Sequence, residues 1–214
     1  MIQIQSFCFN AFQENTYILY NEQKEAIIID PGMYTRVEYK QFTNFIEDNQ
    51  LKPTLLLNTH CHLDHVFGNN FVSETYQLAA HFHANEQVVI DRLPEASAKW
   101  GVVTEAYKGP VKYLQQNEII QLGKDQFICL YTPGHSPGSL CFYHEKQNFI
   151  IGGDLIFMDG VGRTDLPGSD FLTLEKSIRT QLYTLPNATH VYSGHGMPTT
   201  IGYEKQNNPF VKAI

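Results

Sequence analysis

The chain predicts a mixed α/β protein in which two β-sheets pack face to face with helices on the outside. Three observations carry that expectation. The 214 residues are 43% apolar and 17% charged with no linker-like stretch, which suits a single domain over 1–214 with a sizeable core. The order of elements repeats, since each half reads as a meander of strands, a helix, and a strand that ends at a histidine. Residues able to bind metal gather at predicted strand ends.

In the first half, residues 2–5 alternate with a period of two, and 15–20 and 26–29 follow as strands joined by the polar turn Asn21-Glu22-Gln23-Lys24. Asp30 closes the third strand before Pro31-Gly32, a place that suits either a turn or a carboxylate orienting a metal loop. Residues 37–49 place Val37, Phe42, Phe45 and Ile46 as an amphipathic helix would. The apolar strand 54–57 then delivers Thr59-His60-Cys61-His62-Leu63-Asp64-His65.

The middle is less regular. Residues 77–81 suit a short strand and 85–92 a short helix with Asn85 as its N-cap. His81 and His83 copy the spacing of His60 and His62 without a following Asp-His, and are read as non-ligands. Residues 94–110, which include Trp100, show little periodicity and read as an irregular excursion, either a binding lid or plain surface. In the second half, 118–121, 126–131, 139–143 and 149–151 are strands, 171–183 is a helix opening near Ser169-Asp170, and 191–193 is a strand ending at Gly194-His195-Gly196. The hairpin before that helix ends in Asp154, as the earlier one ends in Asp30.

Three imidazoles and a carboxylate within residues 60–65 form a metal-ligand cluster. His60 and His62 project to the same side of an extended chain, while Asp64 and His65 enter from the turn that follows. One ion cannot easily take all four from so short a stretch, but two neighbouring ions can. His135 in a Gly/Pro loop, Asp154 after two glycines and His195 between two glycines are the remaining candidates. Imidazole and carboxylate suit zinc or iron. The net charge of −7 disfavours nucleic acid or an anionic membrane as partner. The four cysteines form no CxxC pair, and Cys129 and Cys141 fall in apolar strands, where inert buried thiols are expected. With no leader-like start and no long apolar segment, a cytoplasmic protein is expected.

The pattern His60-x-His62-x-Asp64-His65, followed by His135, Asp154 and His195 and preceded by Asp30, resembles the metallo-β-lactamase superfamily across nearly the whole chain. Within it the chain is most similar to the glyoxalase II group (hydroxyacylglutathione hydrolases), especially its short bacterial members, through Gly162-Arg163-Thr164-Asp165-Leu166-Pro167-Gly168. The resemblance implies a four-layer αββα sandwich, the metallo-β-lactamase fold, with its site at one sheet edge. It implies one divalent ion on His60, His62 and His135, a second on Asp64, His65 and His195, and Asp154 bridging them, with Asp64 and Asp154 catalytic. Zinc is the default metal, and iron or manganese also suit the donors. The reaction implied is hydrolysis of a small-molecule thioester by a hydroxide shared between the ions. Full-length glyoxalase II binds glutathione through a C-terminal helical domain, which this chain is expected to lack. Lys205, Lys212, Lys108, Lys112, Tyr107 and Tyr203 are therefore the candidates to hold an anionic substrate, and Arg163 and Asp165 are read as an internal pair buttressing the Asp154 loop. Other readings are a persulfide dioxygenase with one iron on His60, His135 and Asp154, a lactonase or β-lactamase, and a non-catalytic metal-binding module.

Overall fold

Residues 1–212 are described by a computed structural model. Strands β1 (Gln3–Phe9), β2 (Glu14–Tyr20) and β3 (Glu25–Ile29) form an antiparallel meander, and helix α1 (Arg36–Asp48) crosses to β4 (Lys52–Leu57), which runs parallel to β3. The capping box at Thr35, reciprocal with Glu38, fixes where α1 begins, and Phe42 and Ile46 are its buried side chains. Two short helices, α2 (Leu63–Val66) and α3 (Asn69–Tyr76), lead to β5 (Ala80–His83). A 3₁₀ turn at Ala84–Glu86, then α4 (Gln87–Ile90) and α5 (Leu93–Trp100), lead to β6 (Val111–Leu114), which completes the sheet in the order β1-β2-β3-β4-β5-β6.

The second sheet repeats the plan. Strands β7 (Ile119–Leu122), β8 (Asp125–Tyr131), β9 (Leu140–His144) and β10 (Phe149–Gly153) are antiparallel. After a small hairpin of β11 (Ile156–Phe157) and β12 (Gly160–Val161), helix α6 (Phe171–Ser177) crosses to β13 (His190–Ser193), which runs parallel to β10. Strand β14 (Thr199–Thr200) forms the edge, and α7 (Ile201–Asn207) follows it.

The apolar runs explain the layers. In β3, Ile27 and Ile29 face the second sheet with Leu57, Phe127, Phe142 and Ile151, while Ile28 faces α1 with Leu56 and Phe42. A strand covered on both faces needs no polar alternation, which is why this segment reads as continuous isoleucine. On the far side Cys141 and Ile150 pack on Leu174 and Ile178. Three apolar interfaces separate four layers, helix–sheet–sheet–helix, as expected. Cys129 and Cys141 are buried, and burial pushes both thiols up to about 12. No helix among the described residues is long and apolar enough to cross a membrane.

Several expectations for the middle need correction. Residues 94–110 are not irregular throughout, because Pro94 opens α5 and Gly101, in the left-handed region at φ 66°, ends it. The helix expected over 85–92 is divided between the 3₁₀ turn and α4, and its cap is His83, whose Nδ1 accepts the Asn85 N–H at 3.2 Å. The strand placed at 77–81 runs instead over Ala80–His83, and α3 and α7 had no clear signature. The helix over 171–183 begins as expected on Asp170, whose carboxylate accepts the Thr173 N–H, but its second half, Ile178–Leu182, widens into a π turn.

Candidate metal centre

All the predicted ligands lie where strands of the two sheets end on one side. Asp30 terminates β3 in the left-handed region, φ 49°. Its Oδ1 accepts the Thr59 N–H at 2.7 Å, and its Oδ2 accepts the Thr59 hydroxyl and faces His65 Nδ1 at 3.2 Å. Asp30 therefore orients the loop after β4. Four histidines have Nδ1 held in this way, leaving Nε2 to face inward: His60 by Thr59 Oγ1 (3.0 Å), His65 by Asp30, His135 by the Arg163 carbonyl (2.9 Å) and His195 by the Gln13 carbonyl (3.1 Å).

The side chains form two trios. Donor atoms of His60, His62 and His135 all lie within 4.8 Å of one another, and so do those of Asp64, His65 and His195. In the first, His62 Nδ1 is 2.8 Å from His135 Nε2. In the second, Asp64 Oδ2 is 3.2 Å from His195 Nε2 and 3.6 Å from His65 Nε2. Asp154 stands between them, with Oδ1 3.5 Å from His65 and Oδ2 3.5 Å from both His135 and His195. Asp30 with His60 and His65 makes a third, overlapping group, but its oxygens are already engaged by Thr59 and His65 Nδ1.

The polar atoms themselves test whether metal fits. His60 Nε2, His65 Nε2 and Asp154 Oδ1 are buried and have no hydrogen-bond partner among the described residues. A buried polar atom left unpaired costs about 1–3 kcal/mol, and a cation in each trio would satisfy all three of these atoms. Protonation agrees. Burial and mutual repulsion hold His60 well below its ordinary value, His62 at about 3 and His135 at about 4, so this trio is neutral and ready to donate lone pairs. His65 and His195 go the other way: burial opposes their charge, but Asp64 and Asp154 outweigh it and raise both. Burial likewise opposes charge on Asp64, yet His65 and His195 hold its carboxyl below the usual range.

A cavity of about 480 Å³ opens over the trios, walled by Phe12, Leu93, Trp100 and Phe157. The cations that line it are Arg92, Lys99 and Arg163, not the six groups expected from sequence. Lys108 pairs with Glu105, the Tyr107 hydroxyl donates to Ser73 and the Pro110 carbonyl, Tyr203 donates to Asp159, and Lys205 donates to Asn187. Lys112 and Lys212 do not line the cavity either. Arg163 and Asp165 do pair, through two bonds of 2.6 and 2.7 Å, but the pair is 49% and 68% exposed and so is not internal. Its support for the site runs through the Arg163 carbonyl on His135. His81 and His83 stay outside, His81 on the Leu56 and Ala79 carbonyls and His83 stacked on Tyr131. Sequence reasoning missed Glu86, Arg92 and Lys99, which lie in segments with no ligand-like spacing.

A family model described as the metallo-β-lactamase superfamily matches residues 9–195. The hydroxyacylglutathione hydrolase GloC of Haemophilus influenzae is 36% identical over 211 residues, covering 95% of both chains. Among solved structures, the B3 metallo-β-lactamase BLEG-1 superposes with a TM-score of 0.89 at 35% identity, covering 98% of this chain and 99% of that one. TTHA1623, solved in a di-iron-bound form, does so with a TM-score of 0.87 at 32% identity, covering 97% and 100%. With the motif, the four layers and the family match in agreement, the chain belongs to the metallo-β-lactamase superfamily.

Proposed function

We propose that this chain is a two-metal hydrolase that cleaves a small-molecule thioester. The observation that carries the reading is the pair of complete donor trios joined by Asp154 beneath the cavity. His60, His62 and His135 would hold one divalent ion, Asp64, His65 and His195 a second, and Asp154 would face both. Zinc is the proposed metal, and iron is the alternative that the di-iron relative favours. When bound, such ions lower the pKa of a shared water toward ~7 and polarise the substrate carbonyl.

The chain's own residues supply the remainder. Asp64 stays ionised beside His65 and His195, so its carboxylate can orient the attacking water and accept a hydrogen bond from it. Phe12, Leu93, Trp100 and Phe157 keep bulk water from the reacting carbonyl, and Arg92 and Lys99 can hold an anionic end of the substrate. A thioester fits because a thiolate of pKa ~8.5 leaves without a general acid. The name of the Haemophilus relative supports a hydroxyacyl thioester. A single-iron oxygenase built on His60, His135 and Asp154 would leave the trio Asp64–His65–His195 idle, and the completeness of that trio favours two ions.

The test is metal quantification on protein purified without added metal, followed by a panel of thioesters that vary the thiol. Two ions per chain and anaerobic thioester cleavage are expected, whereas one iron with oxygen consumption would overturn the reading. β-Lactam hydrolysis is the second reading, favoured by the 35% identity to BLEG-1, and a chromogenic cephalosporin tests it.

A further inference from the structure

We propose that Glu86 is a positioning residue for the trio His60, His62 and His135, a single buried carboxylate that ties together the two loops carrying them. The inference rests on the two-metal reading and adds to it the device that holds one half of the centre in place. Glu86 ends the 3₁₀ turn after β5 and is fully buried. Its Oε2 accepts the N–H of Cys61, which lies between His60 and His62, at 2.7 Å. Its Oε1 accepts the Ser136 hydroxyl at 2.5 Å and the Gly138 N–H at 2.6 Å, both just beyond His135. The loops are separated by more than 70 residues of sequence, since His62 and His135 stand 73 apart.

The packing is as tight as the bonding. A Cβ at Gly138 would lie 2.7 Å from Glu86 Cγ and 2.8 Å from its backbone nitrogen, so the His135 loop closes directly onto this side chain. Asp30 does related work beside it, holding His65 Nδ1 of the other trio directly and His60 of this one only through Thr59 Oγ1. The two buried carboxylates share no bonded partner, and of the two only Glu86 bonds to the loop that carries His135. All three groups on Glu86 are donors, two of them backbone N–H groups that cannot reverse. In Glu86→Gln the amide NH₂ must face either Cys61 N–H or Gly138 N–H, so one of the two loops loses its tie.

The test titrates the chelator-stripped full chain with Co²⁺, following the visible spectrum and calorimetry, and locates the ions by anomalous scattering. Glu86→Gln should weaken binding at His60/His62/His135 by roughly 10–100-fold while Asp64/His65/His195 keeps wild-type affinity. Ser136→Ala removes one donor only and should weaken the same trio by less, and it decides the matter should Glu86→Gln fail to fold. Wild-type affinity at both trios in the variants that fold, or equal loss at both, would overturn the proposal. A wild-type chain that takes up no Co²⁺ at all would instead sink the two-metal reading, and this one with it.

Discussion

Asp30 and Asp154 occupy the same place in the two halves of the molecule and do different work. Each ends the strand of its half that leads by a crossover helix, α1 or α6, to a parallel neighbour, β4 or β13, and each neighbour ends at a histidine-bearing turn. The halves interlock through matching bonds, from Asn15 N–H at the start of β2 to the Gly194 carbonyl (2.7 Å) and from Leu140 N–H at the start of β9 to the Thr59 carbonyl (2.8 Å). The difference lies in the residue beside each aspartate. Thr59 gives Asp30 two donors and ties it up, whereas Gly194 gives Asp154 none and leaves Oδ1 without a partner. Whether a strand-end carboxylate orients a ligand or serves as one is thus decided by its neighbour's donors.

The largest effect should come from the untied member. Asp154→Ala should lower turnover by on the order of 10³-fold and reduce metal content below two ions per chain, as read by steady-state rates and elemental analysis. Wild-type rates in that variant would refute the bridging role. Gly194→Ala tests the neighbour directly. The backbone there does not demand glycine, but a Cβ would sit 2.2 Å from Asp154 Oδ1 and 2.8 Å from His65 Cε1. Displacing both groups should cost about 10²-fold in turnover with the circular dichroism spectrum unchanged. An alanine variant with full activity would mean that the bare neighbour is incidental.

Asp30→Asn should have a smaller effect, since it keeps the shape but cannot accept from Thr59 N–H, Thr59 hydroxyl and His65 Nδ1 together. Metal affinity at Asp64/His65/His195 should fall by roughly 10-fold, the low end for a lost orienting partner, and by less at His60/His62/His135, which Asp30 reaches only through Thr59. Equal weakening of both trios in a metal titration would erase the distinction between the two aspartates.

How far this division could be read beforehand depends on how local each signal is. The isoleucines of β3, the leucines of β4 and the packed ligands of 60–65 announce themselves because strand and cluster are written in consecutive residues. Asp30 and Asp154 were visible as strand ends, but which one would be tied depended on Thr59 and Gly194, 29 residues from Asp30 in the first case and across a crossover helix in the second. Glu86 looks in sequence like any glutamate in a short helical stretch, and only the fold brings Cys61, Ser136 and Gly138 around it. Helix α5 has eight residues, too few for periodicity to stand out, so its cavity wall and the cations Arg92 and Lys99 were hidden with it.

Acid should separate the two trios without any mutation, and more gently than the substitutions. In the metal-free chain His65 and His195 hold their protons above the ordinary histidine range, because Asp64 and Asp154 favour the charged rings despite burial. An ion entering that trio must displace those protons, so its apparent affinity declines as pH falls through the raised values, by about tenfold per unit for each proton displaced. His62 and His135, held at about 3 and about 4 by burial, stay neutral far lower, and protons do not compete for them until the solution nears those values. Stepwise acidification should therefore release the ion of Asp64/His65/His195 first, leaving one ion per chain on the all-histidine trio. Simultaneous release of both ions would show that Asp154 couples the two trios more tightly than their protonation divides them.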